Sequence, residues 1–477
     1  MNLVEAIQTQ DTLTENGMTT NSTTLNECVN LFFQVGALRG QDKQRLISKF
    51  SKAFTEDSLT AMKILFWARD VRGGAGERQI FRDIITWLAE THPTTLKKNV
   101  HLISEYGRWD DFLTLVTSKT CWEVALECVR LGLLKEDGLC AKWMPRKGVK
   151  ANIIRKYLGV TPKQYRKLLV RLTNVVETPM CSKDWSSIDY SKLPSLASSR
   201  YQRAFLKNDT KRYEEFKLAL EKGETTVNAG ALYPYDVVKS LQFNGDNTVS
   251  QAQWESLPNY MEDSTDRILP IVDVSGSMTC SAGNNPNLTC LDVAVSLGLY
   301  ISERNEGVFK DTFLTFSSNP SLQVLNGPLV DRLSQLKCAD WAMSTDLQKA
   351  FKLILNQAVK HNVPVEEMPT KLLILSDMEF NEATSSNWDR VSEWNPTAQQ
   401  MIKGMYEEAG YEMPDIVYWN IQSRNDNCPT RFDETGTALV SGFSPSIMRS
   451  ILSCKNITPY EVMMETIDSP RYEAITV

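Results

Sequence analysis

RILPIVDVSGSM, residues 267–278, decides how this chain reads. Residues 268–272 are a continuous apolar run, and it stops at Asp273, with Ser275 and Ser277 following at alternate positions. A short apolar run closed by polar turn residues has the length and composition of a strand buried on both faces. The same grammar returns in DTFLTF (311–316), KLLILSD (371–377) and DIVYWNI (415–421). Between these runs, LDVAVSLGLYISERN (291–305) and TDLQKAFKLILNQAVKH (345–361) carry apolar residues at helical spacing. Strands alternating with helices predict an α/β, doubly wound parallel sheet over residues 266–477. In such sheets the functional crevice lies beyond the carboxyl ends of the strands. Asp273 and Asp377 both fall at those ends.

DVSGSM aims an acid and two hydroxyls at one point above the sheet. Thr345, in MSTDL, precedes a helix, and Asp377, in LILSDMEF, closes a strand. Asp273, Ser275, Ser277, Thr345 and Asp377 together offer only oxygen donors, and hard oxygen ligands suit Mg²⁺, Mn²⁺ or Ca²⁺ rather than zinc or copper. Two carboxylates and three neutral hydroxyls leave a divalent ion with an open position for water or an acidic group. The competing reading makes Ser275 and Ser277 helix caps and leaves the acids solvated. The DxSxS after one strand, the threonine before a mid-domain helix and the strand-terminal aspartate resemble the metal-ion-dependent adhesion site of von Willebrand factor A domains. That resemblance implies one Mg²⁺ or Mn²⁺ on these five residues and a partner protein that offers an acidic residue to it. It implies binding rather than bond breaking, so no enzyme is expected. No GxSxG, HExxH or EF-hand loop occurs to argue otherwise.

Ahead of residue 266 the pattern is helix after helix. Residues 77–92 place Ile80, Ile84, Trp87 and Leu88 on one stripe, and the preceding RGGAG (72–76) breaks that helix from AMKILFWARD. The glycines lack the GK[ST] ending of a phosphate loop, although they leave Arg69, Arg72 and Arg78 in reach of a phosphate. Thr161 and Pro162 open a helix expected to run to about Glu177, and Thr210 is expected to cap another that Gly223 closes. Helical hairpins stacked as HEAT-like repeats account for this half, without a fixed period. The organisation expected is a polar, frayed lead-in at 1–25, a helical domain at 26–265 and the α/β domain at 266–477, with the boundary in the polar stretch 244–265.

Charge separates the halves. Residues 1–265 carry 36 Lys+Arg against 31 Asp+Glu, whereas residues 266–477 carry 16 against 27. Residues 139–217 alone hold 18 basic and 6 acidic side chains, a net of +12. Within it, Lys142, Arg146, Lys147 and Lys150 precede Lys163, Arg166, Lys167 and Arg171, which fall on one face of the Pro162 helix; Arg200, Arg203 and Lys207 share another face. This is the electrostatic footprint of a nucleic-acid binder, and Trp143, Tyr165, Trp185 and Tyr201 are placed to stack on unpaired bases. Taken singly, each is also an ordinary solvated cation or core aromatic. RDVRGGAGER (69–78), EYGRWDDF (105–112), KWMPR (142–146), MCSKDWSSIDY (180–190) and LPSLASSRYQRAF (193–205) resemble the TROVE-type helical module. TROVE followed by a von Willebrand A domain is the layout of the Ro ribonucleoprotein family, whose helical rings bind small structured RNAs outside and single-stranded RNA ends within. The resemblance therefore implies an RNA-binding ribonucleoprotein component. The alternative is a metal-dependent protein scaffold or assembly factor that uses no nucleic acid.

The remaining features bound these readings. No apolar stretch approaches the roughly 18 residues of a membrane span. The first residues lack the basic and apolar regions of an export signal. Ten scattered cysteines without a CxxC pair and three distant histidines (His92, His101, His361) read as reduced thiols and no zinc site. A cytoplasmic protein that touches no membrane is expected.

Overall fold

The computed structural model describes residues 11–477, except 244–246, 263, 284, 317–318, 338–344 and 383–395. Its second half is built on six strands: β3 (Ile268–Asp273), β4 (Thr312–Phe316), β5 (Ser321–Val324), β6 (Lys371–Ser376), β7 (Asp415–Asn420) and β8 (Thr437–Ser441). They lie in the order β5-β4-β3-β6-β7-β8, parallel except for β5, which runs antiparallel to β4. The sheet is thus mixed, where the sequence predicted a parallel one. Residues 321–324 are too short and too exposed to stand out as a buried strand: Leu322 and Val324 face solvent. Every residue of β3, β4, β6 and β8 is buried, which requires cover on both faces and explains why these strands read as apolar runs instead of alternating ones.

The first half is helical. Residues 78–91 form a helix, with Ile80, Ile84 and Leu88 buried as the stripe requires. RGGAG is the turn before it, and Gly74 is obligatory there because a Cβ would sit 1.9 Å from the Trp67 carbonyl oxygen. Thr161 caps the Pro162–Leu172 helix and Gln164 returns the bond to its backbone, a reciprocal capping box. That helix stops five residues short of Glu177. Thr173 turns extended and gives its hydroxyl to the Leu169 carbonyl, which ends the ladder before the next helix, Glu177–Ser182. Asp209, not Thr210, holds the cap position of the Thr210–Glu221 helix, and Thr210 donates back to the Leu206 carbonyl. Gly223 closes that helix as expected, with bonds from Gly223 and Glu224 to the Leu220 and Ala219 carbonyls. Within the polar stretch 247–265, Thr248–Glu255 is a helix that buries Trp254. Among the described residues no helix is long and apolar enough to cross a bilayer.

The two halves share one continuous apolar core, and a smaller second core gathers around Ile188, Tyr190, Phe205 and Tyr213. The Glu27–Val35 helix buries residues 28–35 and lies against β8. Gly36 donates its backbone N–H to Ser441 Oγ, and that hydroxyl donates to the Phe32 carbonyl, each at 3.0 Å. The approach leaves no room for a side chain: a Cβ on Gly36 would stand 2.6 Å from Gly442 Cα. Residues 11–25 are not frayed. β1 (Asp11–Leu13) and β2 (Thr19–Asn21) form a hairpin, and Asn21 and Cys428 exchange backbone bonds of 3.1 and 2.8 Å. In the opposite direction, residues 470–477 return to the helices. Arg471 pairs with Asp70, Tyr472 donates to Asp70, and Asn99 exchanges two bonds with Thr476.

Candidate metal centre

β3 and β6 are adjacent and parallel, with Val272 opposite Leu375, and the chain leaves them in opposite directions along the sheet. Their carboxyl ends therefore form the switch point, where a crevice opens in folds of this kind. Asp273 ends β3, and Asp377 is the first residue past β6. Asp273 Oδ1 accepts from the Ser275 backbone N–H at 2.9 Å, and its Oδ2 accepts from the Ser376 hydroxyl at 2.5 Å. Ser275 is extended and hands over to a short 3-10 turn, Gly276–Thr279, which brings the Ser275 and Ser277 hydroxyls within 2.9 Å of each other. Neither serine side chain caps that turn, so the competing sequence reading fails for them. Met378 adopts a left-handed backbone (φ 65°) directly after Asp377, an uncommon conformation for a side chain of its size and a local strain at the crest. Thr345 is buried, and its carbonyl accepts from the Asn381 N–H at 3.0 Å, which ties it to the segment that follows Asp377. Residues 343–344 of the MSTDL stretch lie outside the described residues.

Electrostatics distinguish this crest. Asp273 and Asp377 are both buried. Burial, then the charge of Asp377, pushes the Asp273 carboxyl up to about 7. Burial likewise raises Asp377, against the pull of the Arg424 guanidinium and the Ser277 hydroxyl. Asp377 Oδ2 accepts no hydrogen bond, and Arg424 Nη2 stands 3.5 Å from it. A buried carboxylate oxygen that has an ion pair but no hydrogen bond, and two mutually repelling carboxylates, are what a cation would relieve. Among the described residues no three His, Cys, Asp or Glu side chains gather as a metal-binding group. A cation here therefore depends on hydroxyl oxygens as well as the two acids, a donor set that fits Mg²⁺ or Mn²⁺.

Four neighbours of the centre escaped the sequence reading. Ser376 orients Asp273. Glu379 takes N–H bonds from Glu15, Asn425 and Asn427 and is pushed up by burial. Arg424 donates to the Ser277 carbonyl at 2.6 Å, and Glu15 of the β1–β2 hairpin lies 3.4 Å from Arg424. Ser376 and Glu379 flank Asp377 in sequence, and Arg424 follows a strand end, so their positions carried a signal that the sequence reading did not use. Nothing in the sequence could place Glu15, which arrives from more than 360 residues away.

The basic region divides. Arg146, Lys147, Lys163, Arg166, Lys167, Arg171, Arg200, Arg203 and Lys207 are exposed, and Lys142 and Lys150 are half-buried. Lys163, Arg166 and Lys167 lie opposite the buried Tyr165, Leu169 and Leu172. Arg171 meets Glu136 at 3.2 Å, an exposed pair that solvent screens. The aromatic residues do not form the expected stacking platform. Tyr165 is buried with its hydroxyl on the Pro145 carbonyl. The Arg108 guanidinium covers Trp143 at 3.9 Å. Trp185 and Tyr201 pack edge-on against Phe205 in the second core. Arg69 is also withdrawn from any phosphate, because it is buried against Asp111 at 2.7 Å; Arg72 and Arg78 are exposed.

A family model described as Domain of unknown function (DUF2828) matches residues 14–130 and 144–266, half of the chain. The chain belongs to the DUF2828 family. A second model, Domain of unknown function (DUF7788), matches residues 267–473 of this DUF2828 chain. The junction of the two matches falls immediately ahead of β3, so the candidate centre lies wholly within the second. Uncharacterized protein L728 of Acanthamoeba polyphaga mimivirus is 28% identical to the DUF2828 chain over 513 residues, covering 95% of this chain and 87% of its own length. These descriptions name neither the TROVE module nor the von Willebrand A domain.

Proposed function

We propose that this chain is an RNA-binding ribonucleoprotein component, with a TROVE-like, HEAT-like helical half that grips RNA and a von Willebrand A-type half that holds one Mg²⁺ or Mn²⁺. The observation that carries the metal reading is the buried Asp273–Asp377 pair with its unbonded Asp377 Oδ2. Asp273, Ser275, Ser277, Thr345 and Asp377 would hold the ion. When bound, it supplies a Lewis-acidic position at which a partner's carboxylate docks. Glu379, the nearest further acid along the chain, already accepts from three N–H donors and is no free base, which favours recruitment over catalysis. The RNA reading is supported by twelve exposed cations along residues 146–207, a polyanion-binding surface of the kind that tracks a phosphate backbone. The ratio of absorbance at 260 to 280 nm after low-salt purification tests it, followed by sequencing of the bound nucleic acid. A high ratio that collapses in high salt supports the reading, and a clean protein spectrum rejects it.

The second reading, a metal-dependent protein scaffold, is favoured by apolar side chains exposed among those cations: Val149 at 71%, Val170 at 65% and Leu139 at 59%. Such side chains suit a protein partner better than a phosphate backbone. Reversing the charge of Lys163, Arg166, Lys167 and Arg171 together separates the two. RNA retention disappears under the first reading and is irrelevant under the second.

A further inference from the structure

The Cys280–Cys290 pair is used by neither reading. Cys280 follows the 3-10 turn of the metal motif, and Cys290 opens the Cys290–Arg304 helix. The chain between them folds back on itself: Ser281 and Thr289 form an antiparallel bridge, and Cys290 N–H donates to the Cys280 carbonyl at 3.0 Å. Cys280 and Cys290 are thus direct cross-strand partners. Antiparallel partners have Cα separations of about 4.5–5.5 Å, inside the range a disulfide spans. Their sulfurs are already in contact at 3.6 Å, with the Gln422 Oε1 2.6 Å from one and 3.0 Å from the other. Arg424 Nη2 stands 3.4 Å from Cys280 Sγ. Cys280 is partly exposed and Cys290 is buried behind it, so a reagent meets one thiol first and the other lies in reserve. By contrast, the buried Cys28 and Cys140 rest on the Ala53 and Val129 backbone carbonyls.

We infer that Cys280 and Cys290 are a redox-active dithiol, with Cys280 the attacking and Cys290 the resolving thiol, oxidised reversibly by a low-molecular-weight disulfide. The Cys280 thiolate attacks one sulfur of the disulfide RSSR, forms Cys280–S–S–R and expels RS⁻. Cys290 gives its proton to that thiolate, attacks Cys280 Sγ and expels the second RS⁻, which takes the proton Cys280 had released. Two protein thiols and RSSR become one protein disulfide and two RSH, and two electrons pass to the reagent. The Arg424 guanidinium beside Cys280 Sγ is placed to face the sulfur that attacks first, and Cys290 Sγ is placed in contact with that same sulfur to resolve it.

The test equilibrates the full chain with glutathione and glutathione disulfide at graded ratios, quenches with acid, alkylates free thiols and maps peptides by mass spectrometry. The expected result is a Cys280–Cys290 cross-link that grows with the oxidant and vanishes on return to glutathione. In Cys290→Ser the glutathione stays on Cys280, and in Cys280→Ser Cys290 remains alkylatable. The inference is overturned if the wild-type chain stops at a Cys280 mixed disulfide. It is equally overturned if both thiols stay free in the most oxidising buffer while the exposed Cys181 becomes glutathionylated. Phenylarsine oxide, which bridges paired thiols, gives a check on the unmutated chain: it must protect Cys280 and Cys290 together from alkylation, and failure to do so counts against the pair.

Discussion

At the scale of residues, the crest of the sheet sets a proton and a guanidinium against the cation proposed for it. The Asp273 carboxyl rises from 3.8 to about 7 in the folded chain, so the native state holds a proton that the unfolded state has released between those values. Stability of the cation-free protein therefore falls as pH rises through that window, by the linkage between proton uptake and folding. A divalent cation must displace the same proton, so its affinity weakens as pH drops below about 7. Mn²⁺ titrations between pH 5.5 and 8 read this directly, and an affinity independent of pH would rule out Asp273 as a ligand. At about a hundredfold over its Kd, the ion should stabilise the fold by about 2.7 kcal/mol, and thermal melts of Asp377→Asn should lose that gain. Arg424→Gln removes the positive charge beside Asp377 and should tighten Mn²⁺ binding roughly threefold or more, since a like charge repels the ion. An unchanged or weaker affinity in calorimetry would make Arg424 a support of the site instead of a competitor.

At the scale of elements, motif residues that suggested RNA contact turn out to join helices. Arg69 ends the Ser58–Arg69 helix and meets Asp111 in the Trp109–Thr114 turn, and Arg82 bonds the other oxygen of that carboxylate at 2.6 Å. Arg69 and Asp111 are buried, so Arg69→Ala leaves an underpaired buried charge and should cost about 3–5 kcal/mol in urea unfolding. What was legible here follows from periodicity. Continuous apolar runs showed β3, β4, β6 and β7, and the Ile80 stripe and the Thr161–Pro162 cap showed their helices. The placement of Asp273, Ser275, Ser277 and Asp377 at and just past the ends of β3 and β6 was legible because each follows directly on an apolar run. The halt at Thr173, the short exposed strand β5 and the burial of Tyr165 were not, because each is set by contacts distant in sequence or by a local hydroxyl bond that composition does not reveal. A cationic stripe says which face of a helix is wet, but not which aromatic residues remain free beside it.

At the scale of the molecule, the composition shift near residue 265 marks a change of grammar rather than a gap between independent bodies. The core is continuous across it, and β8 is covered by the Glu27–Val35 helix from the other half. Residues 266–477 expressed alone should leave that face of the sheet bare and aggregate or bind a hydrophobic dye, and residues 1–265 supplied in trans should restore a soluble complex on size-exclusion chromatography. A soluble, protease-resistant fragment 266–477 would show that the cover is dispensable.

This interlocking sets an order of events during synthesis. Asn21 and Phe32 find their partners at Cys428 and Ser441, some four hundred residues later, and Asp70 waits for Arg471. The ribosome must release some four hundred further residues before the β1–β2 hairpin can dock. Until then the apolar face of the Glu27–Val35 helix has no strand to cover, and the nascent chain carries an unfinished surface over that whole interval.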